Sequence, residues 1–247
     1  MDPVGQFFKE RQSDIEQMIN DSEFFKQSIN WMKNAQKYKY NYNFTWLDRP
    51  IIRYPNDIMV MQELIWEVEP DLIIETGIAH GGSIIFSASM LELIGGDGEV
   101  LGIDIDIRGH NREYIEDHCM FDRISMVEGD SISEEVVRRA QEFADGAETV
   151  MVFLDSNHSH NHVVQELELY SELVTVGSYI MVADTFIEYF PKGYFSDRPW
   201  DVGDNPMTAL NEFLDGNEEF EFDERRSLKA IISESPNGYV KKIQQRN

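Results

Sequence analysis

The chain is poor in several things, and each shortage excludes something. It has one cysteine, Cys119, in 247 residues, so an internal disulfide framework is excluded and a reducing compartment is expected. Basic side chains are scarce: 21 Lys+Arg stand against 46 Asp+Glu, for a net charge of −25. Nucleic acids and anionic membranes need a basic footprint, so neither is expected as the main partner. No stretch approaches the ~20 apolar residues that span a bilayer. The opening MDPVGQFFKERQSDIEQ lacks the apolar centre of a secretory signal. A soluble, cytoplasmic protein is expected. Repeats and low-complexity tracts are also missing. The 42 % of hydrophobic residues, by contrast, can build a sizeable core in one large α/β domain or two small ones.

Residues 1–45 read as a helical extension. Phe7, Phe8, Ile15, Met18, Ile19, Phe24, Phe25, Ile29 and Trp31 recur at roughly helical spacing. They would pack on the main domain, a partner subunit or both, so a homo-oligomer is expected. The aromatics Tyr38, Tyr40, Tyr42, Phe44 and Trp46 either pack in the core or line a substrate entrance. The main domain is expected over 46–247. From about residue 56, helices near 56–69, 82–94, 110–118, 132–144 and 160–174 alternate with the strands DLIIET, EVLGIDI, RISMVEG, TVMVFLD and SYIMVAD. Alternation with short connections and nearly continuous apolar strands predicts an α/β fold, a Rossmann-like doubly wound, mainly parallel sheet. The tail FEFDERRSL…GYVKKI adds two edge strands, one of them antiparallel.

Ligands of such sheets bind at the carboxyl ends of the strands, near the reversal of strand order. Each of the five strands delivers an acid there: Glu75, Asp104 with Asp106, Glu128 with Asp130, Asp155, and Asp184. In ETGIAHGGS the glycines 77, 81 and 82 permit tight turns and a close backbone approach. Their spacing does not match the dinucleotide fingerprint G-x-G-x-x-G, which disfavours an NAD-dependent sugar enzyme. Glu75 would repel a diphosphate but attract an amino group, and Ser83 can hydrogen-bond a carboxylate. Those are the two ends of an amino acid, such as the methionine half of S-adenosylmethionine (SAM). Asp104 is placed to accept from ribose hydroxyls, and Asp130 and Ser131 to hold an adenine edge. Asp155 and Asp184 end adjacent strands and can converge on Mg²⁺. His158, three residues beyond Asp155, can remove a proton from a hydroxyl at that cation. His160 and His162 more simply flank the next helix.

These motifs (ETGIAHGGS, GIDID, EGDS, FLDSNHSH and SPNGYVKKI) resemble the cephalosporin-hydroxylase-type and rhamnosyl O-methyltransferase family of class I SAM-dependent methyltransferases, over roughly residues 50–243. The resemblance implies that Glu75, Gly77, Ala79, Gly81, Ser83, Asp104, Asp130 and Ser131 contact SAM. It also implies Mg²⁺ on Asp155 and the fifth strand, and a base at His158. The chain departs from the pattern at one point. Relatives of the antibiotic and rhamnosyl type carry Glu-Asp at the fifth strand, and here it is Ala183-Asp184. By the catechol-type pattern the pair is Asp184-Thr185, so Thr185, a water or Glu188 has to complete the shell.

The loop EYFPKGYFSDRPWDVGDNP after the fifth strand is long enough to be functional. Its aromatics Tyr189, Phe190, Tyr194, Phe195 and Trp200 suit a sugar ring, and Lys192 and Arg198 a nucleotide-sugar diphosphate; the other reading is an oligomer contact. The expected function is Mg²⁺-assisted methyl transfer from SAM to a sugar hydroxyl of a polysaccharide, nucleotide sugar or glycosylated metabolite. The alternative is a non-catalytic SAM-binding or assembly subunit.

Overall fold

A computed structural model describes residues 2–245. Helix α1 (Pro3–Ile19) starts at Asp2, whose carboxylate accepts from the amides of Val4 and Gly5, and α2 (Ser22–Gln36) is capped in the same way by Asp21. Strands β1 (Phe44–Trp46) and β2 (Arg49–Ile51) then form an antiparallel hairpin. Its turn, Leu47-Asp48, has positive φ at both residues (45° and 67°), the two-residue geometry that matches strand twist. The sequence reading did not anticipate this hairpin, and the expected boundary after residue 45 cuts β1.

The alternating region follows the expected order: α3 (Pro55–Val68), β3 (Leu72–Thr76), α4 (Gly82–Ile94), β4 (Glu99–Asp104), α5 (Gly109–Glu116), β5 (Ile124–Glu128), α6 (Glu134–Ala144), β6 (Val150–Leu154), α7 (His160–Tyr170) and β7 (Tyr179–Val182). Helix α8 (Pro206–Leu214), β8 (Phe220–Phe222), α9 (Glu224–Lys229) and β9 (Tyr239–Lys242) complete the chain. The seven-stranded sheet has the order β5-β4-β3-β6-β7-β9-β8. Pairs from β5 through β7 are parallel, while β9 runs antiparallel to both β7 and β8. One antiparallel strand in the tail is what the sequence predicted.

The sheet buries both faces. Ile73, Met151, Phe153 and Met181 pack under α3 and α4, while Leu72, Ile74, Val152 and Ile180 face α6, α7 and α8. This period of two explains the nearly continuous apolar strands. Strand order reverses between β3 and β6, where Glu75 pairs in register with Phe153 and Thr76 with Leu154. The carboxyl ends of β3, β4, β6 and β7 therefore open on one crevice.

The N-terminal helices pack on their own chain. Ile29 and Met32 of α2 join Tyr54, Phe186, Ile187 and Phe190 in a separate apolar cluster beside that crevice. Helix α1 buries none of its residues and is tied down by the ion pairs Arg11–Glu63 and Arg225–Glu16. Of the aromatics weighed as an entrance, Tyr40 packs between Trp31 and Phe44, and Trp46 meets Phe86 and donates to Ser89 Oγ (3.0 Å). Tyr42 alone of the five lines the cavity described next. Among the described residues no helix is long and apolar enough to cross a membrane.

Candidate active site

A cavity of about 740 Å³ lies over the strand ends at the reversal point. Its floor begins with the loop after β3. Gly77 has φ 93°, and a Cβ there would fall 2.1 Å from the carbonyl oxygen of Asp155. The bare backbone thus lets the loops leaving β3 and β6 touch. Gly81 (φ 86°) would drive a Cβ to 2.6 Å from Ile115, and one on Gly82 would meet Pro50 of the hairpin at 2.2 Å. The glycines expected to admit a cofactor therefore serve first to close the protein on itself. Gly77 and Gly82 still line the cavity, whereas Gly81 faces α5.

Asp104, at the end of β4, fixes this loop by accepting from the amides of Ile78 (2.8 Å) and Ala79 (3.0 Å) through Oδ2. Its Oδ1 accepts from the amide of Asp106 (3.1 Å), and the residue lines the cavity. Ala79 sits in the left-handed region (φ 46°), with its carbonyl held by Asn111 Nδ2 (2.8 Å). Non-glycine residues persist in that region where their surroundings hold them, often at functional sites.

Glu75 is fully buried. Its Oε1 accepts from Ser83 Oγ, and its Oε2 has no hydrogen-bond partner among the described residues. Ser83, expected to hold a ligand carboxylate, thus turns its hydroxyl to Glu75. Burial pushes the Glu75 carboxyl up to about 7, against the opposing attraction of Arg53 and the bond from Ser83. A buried carboxylate oxygen without a donor is costly, and a ligand ammonium would satisfy it.

Asp155, His158 and Asp184 converge beside this point, each offering one donor atom within 4.8 Å of the others. His158 Nε2 lies 3.0 Å from Asp184 Oδ2. Asp184 itself adopts φ 56°, the left-handed turn that swings it off the end of β7. Burial raises the Asp155 carboxyl to about 6; Arg53 opposes this and Asp184 adds to it. The His158 ring meets Trp200 edge to face, with centroids 4.6 Å apart.

Sequence reasoning missed the ionic support beneath this cluster. Arg53 is buried and donates to Asp155 Oδ2 (2.9 Å) and to Glu234. Asp57, buried at the start of α3, accepts from Ser233 Oγ and from the amide of Glu234 (2.9 Å). An arginine inside the apolar run RPIIRYP was the available signal, since a buried cation demands acids nearby. Glu234 immediately precedes the SPNGYVKKI motif, and nothing local tied it to Arg53.

Other expected residues fall elsewhere. Thr185 is buried and donates its hydroxyl proton to the carbonyl of Pro236 (2.6 Å), and the residue that joins Asp155 and Asp184 in the cluster is His158. Glu188 is spent on Gly203 and Asn205. Ser131 contacts His162 Nε2 (3.0 Å), and Asp130 accepts from the amide of Ile132 (3.2 Å); neither lines the cavity. His160 begins α7 and contacts Thr208 and Glu212, in keeping with a flanking role. Tyr194, Phe195, Arg198 and Trp200 of the long loop do line the cavity, whereas Lys192 does not.

A family model described as Rhamnosyl O-methyltransferase/CmcI matches residues 38–243. The chain belongs to this family. A rhamnosyl O-methyltransferase of Mycobacterium leprae (strain TN) is 30 % identical over 197 residues, covering 79 % of this chain and 82 % of the relative. Another, of Mycobacterium tuberculosis, is 29 % identical over 189 residues, or 75 % and 72 % of the two chains. A structure of CmcI with Mg and SAM superposes with TM-score 0.57 at 18 % identity, covering 82 % of this chain and 78 % of that one. The O-methyltransferase from Bacillus cereus in complex with SAH gives TM-score 0.53 at 16 % identity, covering 80 % and 81 %. At these identities the superpositions speak for the fold, the class I methyltransferase sheet. As a member of the rhamnosyl O-methyltransferase/CmcI family the chain is a SAM-dependent O-methyltransferase.

Proposed function

We propose that the protein methylates a hydroxyl of a sugar acceptor, with Asp155 and Asp184 holding Mg²⁺ and His158 serving as general base. The observation that carries this is the convergence of Asp155, His158 and Asp184 on the floor of the cavity that Gly77, Ala79, Ser83 and Asp104 also line. The rhamnosyl O-methyltransferases among the relatives favour a sugar as acceptor.

The donor sets fit the groups assigned to them. The unpartnered Oε2 of Glu75 suits the SAM ammonium, and Asp104 Oδ1 can accept from a ribose hydroxyl. Two carboxylates suit a hard divalent cation, which usually fills the rest of its shell with water and substrate oxygens. A cation held there would lower the pKa of an acceptor hydroxyl. The imidazole of His158, a poorer match for Mg²⁺ than oxygen, is left to take that hydroxyl's proton, and Asp184 stabilises the imidazolium that results. Transfer forms an O–CH₃ bond and breaks the sulfonium S–CH₃ bond, with the electron pair staying on sulfur. Arg53 keeps Asp155 in place and Glu234 keeps Arg53 in place.

The test is a methyl-transfer screen with labelled SAM across sugar nucleotides, glycans and glycosides, with Mg²⁺ and with EDTA. Methylation of a sugar hydroxyl that EDTA abolishes supports the reading. Cation-independent transfer would remove the metal from it, and transfer only to non-sugar hydroxyls would remove the acceptor class.

A further inference from the structure

Segments 36–42 and 194–200 supply part of the cavity wall, apart from the strand-end loops assigned above to the methyl donor. In a chain of net charge −25, this wall carries two cations, Lys39 and Arg198. Among the described residues neither makes an ion pair; Asp197 is the carboxylate on the same wall. Arg198 lies over the Trp200 ring, 5.5 Å from its centroid, and Trp200 in turn abuts His158. The guanidinium is thus held one indole away from the proposed base. Tyr42 lines the same cavity; burial raises its phenol, Asp184 and Asp155 add to the rise and Arg198 opposes it.

A further feature points to a ligand. Asn41 is buried in this wall, and among the described residues its Oδ1 has no hydrogen-bond partner. Its backbone is fixed, because the carbonyl accepts from the amide of Arg53 (3.1 Å). Next to it, Lys39 is held at φ 48°, a conformation that costs energy for a residue with a Cβ. A fixed, buried acceptor oxygen calls for an O–H or N–H donor, and unpaired guanidinium and ammonium groups call for an anion.

We propose that this wall is an acceptor subsite for a phosphorylated glycosyl group. The phosphate sits on Arg198 and Lys39, a sugar hydroxyl donates to Asn41 Oδ1, and the hydroxyl to be methylated faces His158. The inference rests on the sugar-acceptor reading above and narrows it to sugars that carry phosphate. A sugar 1-phosphate and a nucleoside diphosphate sugar share this chemistry.

The test is calorimetric titration of the SAH-loaded protein with rhamnose 1-phosphate, a nucleoside diphosphate rhamnose, methyl rhamnoside and inorganic pyrophosphate. The wild type is compared with the double variant Arg198→Gln/Lys39→Gln, and labelled methyl transfer is followed in parallel. Phosphorylated forms should bind about tenfold or more tightly than methyl rhamnoside, and the double variant should lose that advantage. In turnover it should raise KM for phosphorylated acceptors while lowering kcat far less. The first two probes differ by the nucleotide, so the tighter one names the source of the phosphate. Equal binding of methyl rhamnoside and the phosphorylated forms overturns the proposal, as does a double variant that binds them as well as the wild type. A chain that binds no SAH refutes the methyl-transfer reading instead, and the same titrations on the free protein still decide the subsite.

Discussion

Replacing Glu75 by Gln should stabilise the free protein and weaken SAM binding at once. The side chain is fully buried, with one oxygen on Ser83 and the other unpaired. Burial lifts its carboxyl from 4.5 to about 7. A raised carboxyl means that the native state holds its proton more tightly than the unfolded chain does. The stability it contributes is complete below the unfolded value and is lost as pH climbs through the folded one. At about 1.4 kcal/mol per pH unit, the loss reaches roughly 3 kcal/mol by about pH 8. That is an upper bound for the gain in Glu75→Gln, because the amide also forgoes the attraction of Arg53. At about 2–4 °C per kcal/mol for a domain of this size, the variant should melt several degrees higher at alkaline pH and no higher near pH ~4.5. With SAM the order reverses. Losing a hydrogen bond to a charged group costs about 1.5–3 kcal/mol, which is about 10–150-fold in Kd. Scanning calorimetry across pH and isothermal titration with SAM and SAH read the two effects separately. Parallel Tm–pH curves would refute the buried-carboxylate argument, and an unchanged Kd in the folded variant would remove Glu75 from the ammonium site.

Other substitutions should fail in distinct ways. Asp155→Asn should keep SAM affinity and lose most turnover together with its response to Mg²⁺; an unaltered Mg²⁺ titration would take Asp155 out of the cation site. His158→Ala should lose about 10²–10⁴-fold in kcat, partly recovered at higher pH where the acceptor hydroxyl ionises without help; normal turnover would reduce the ring to a packing partner of Trp200. Gly77→Ala should cost about 2 kcal/mol or more in urea unfolding, from the left-handed φ and a Cβ at 2.1 Å from the Asp155 carbonyl. A silent Gly77→Ala would mean that the two loops are not in contact. Arg53→Met should cost about 3–5 kcal/mol by leaving the buried Glu234 unpaired, and further substitution with Glu234→Gln should restore part of it; no recovery in the double variant would show that the two residues do not act as a pair.

The sheet was legible in the sequence because its signal is local. Apolar runs such as DLIIET and TVMVFLD bury both faces of a parallel strand, and the acid that ends each run marks the rim where ligands bind. Asp155, His158 and Asp184 could be named from those positions alone. The hairpin at 44–51 was missed because its turn, Leu47-Asp48, carries none of the glycine or asparagine that usually marks positive φ. Direction and partnership lay beyond local pattern. Whether Thr185 faced Asp155 or the Pro236 carbonyl depended on how β9 approaches β7. Whether Gly81 served a ligand or Ile115 depended on where α5 docked. Arg53 and Glu234 lie 181 residues apart and meet only when the tail folds back over the strand ends. Which groups reach the rim follows from local pattern, since strand periodicity is a property of neighbouring residues. Which of them touch follows from chain closure, because a desolvated charge takes its partner from whatever segment the closed chain brings within hydrogen-bond reach.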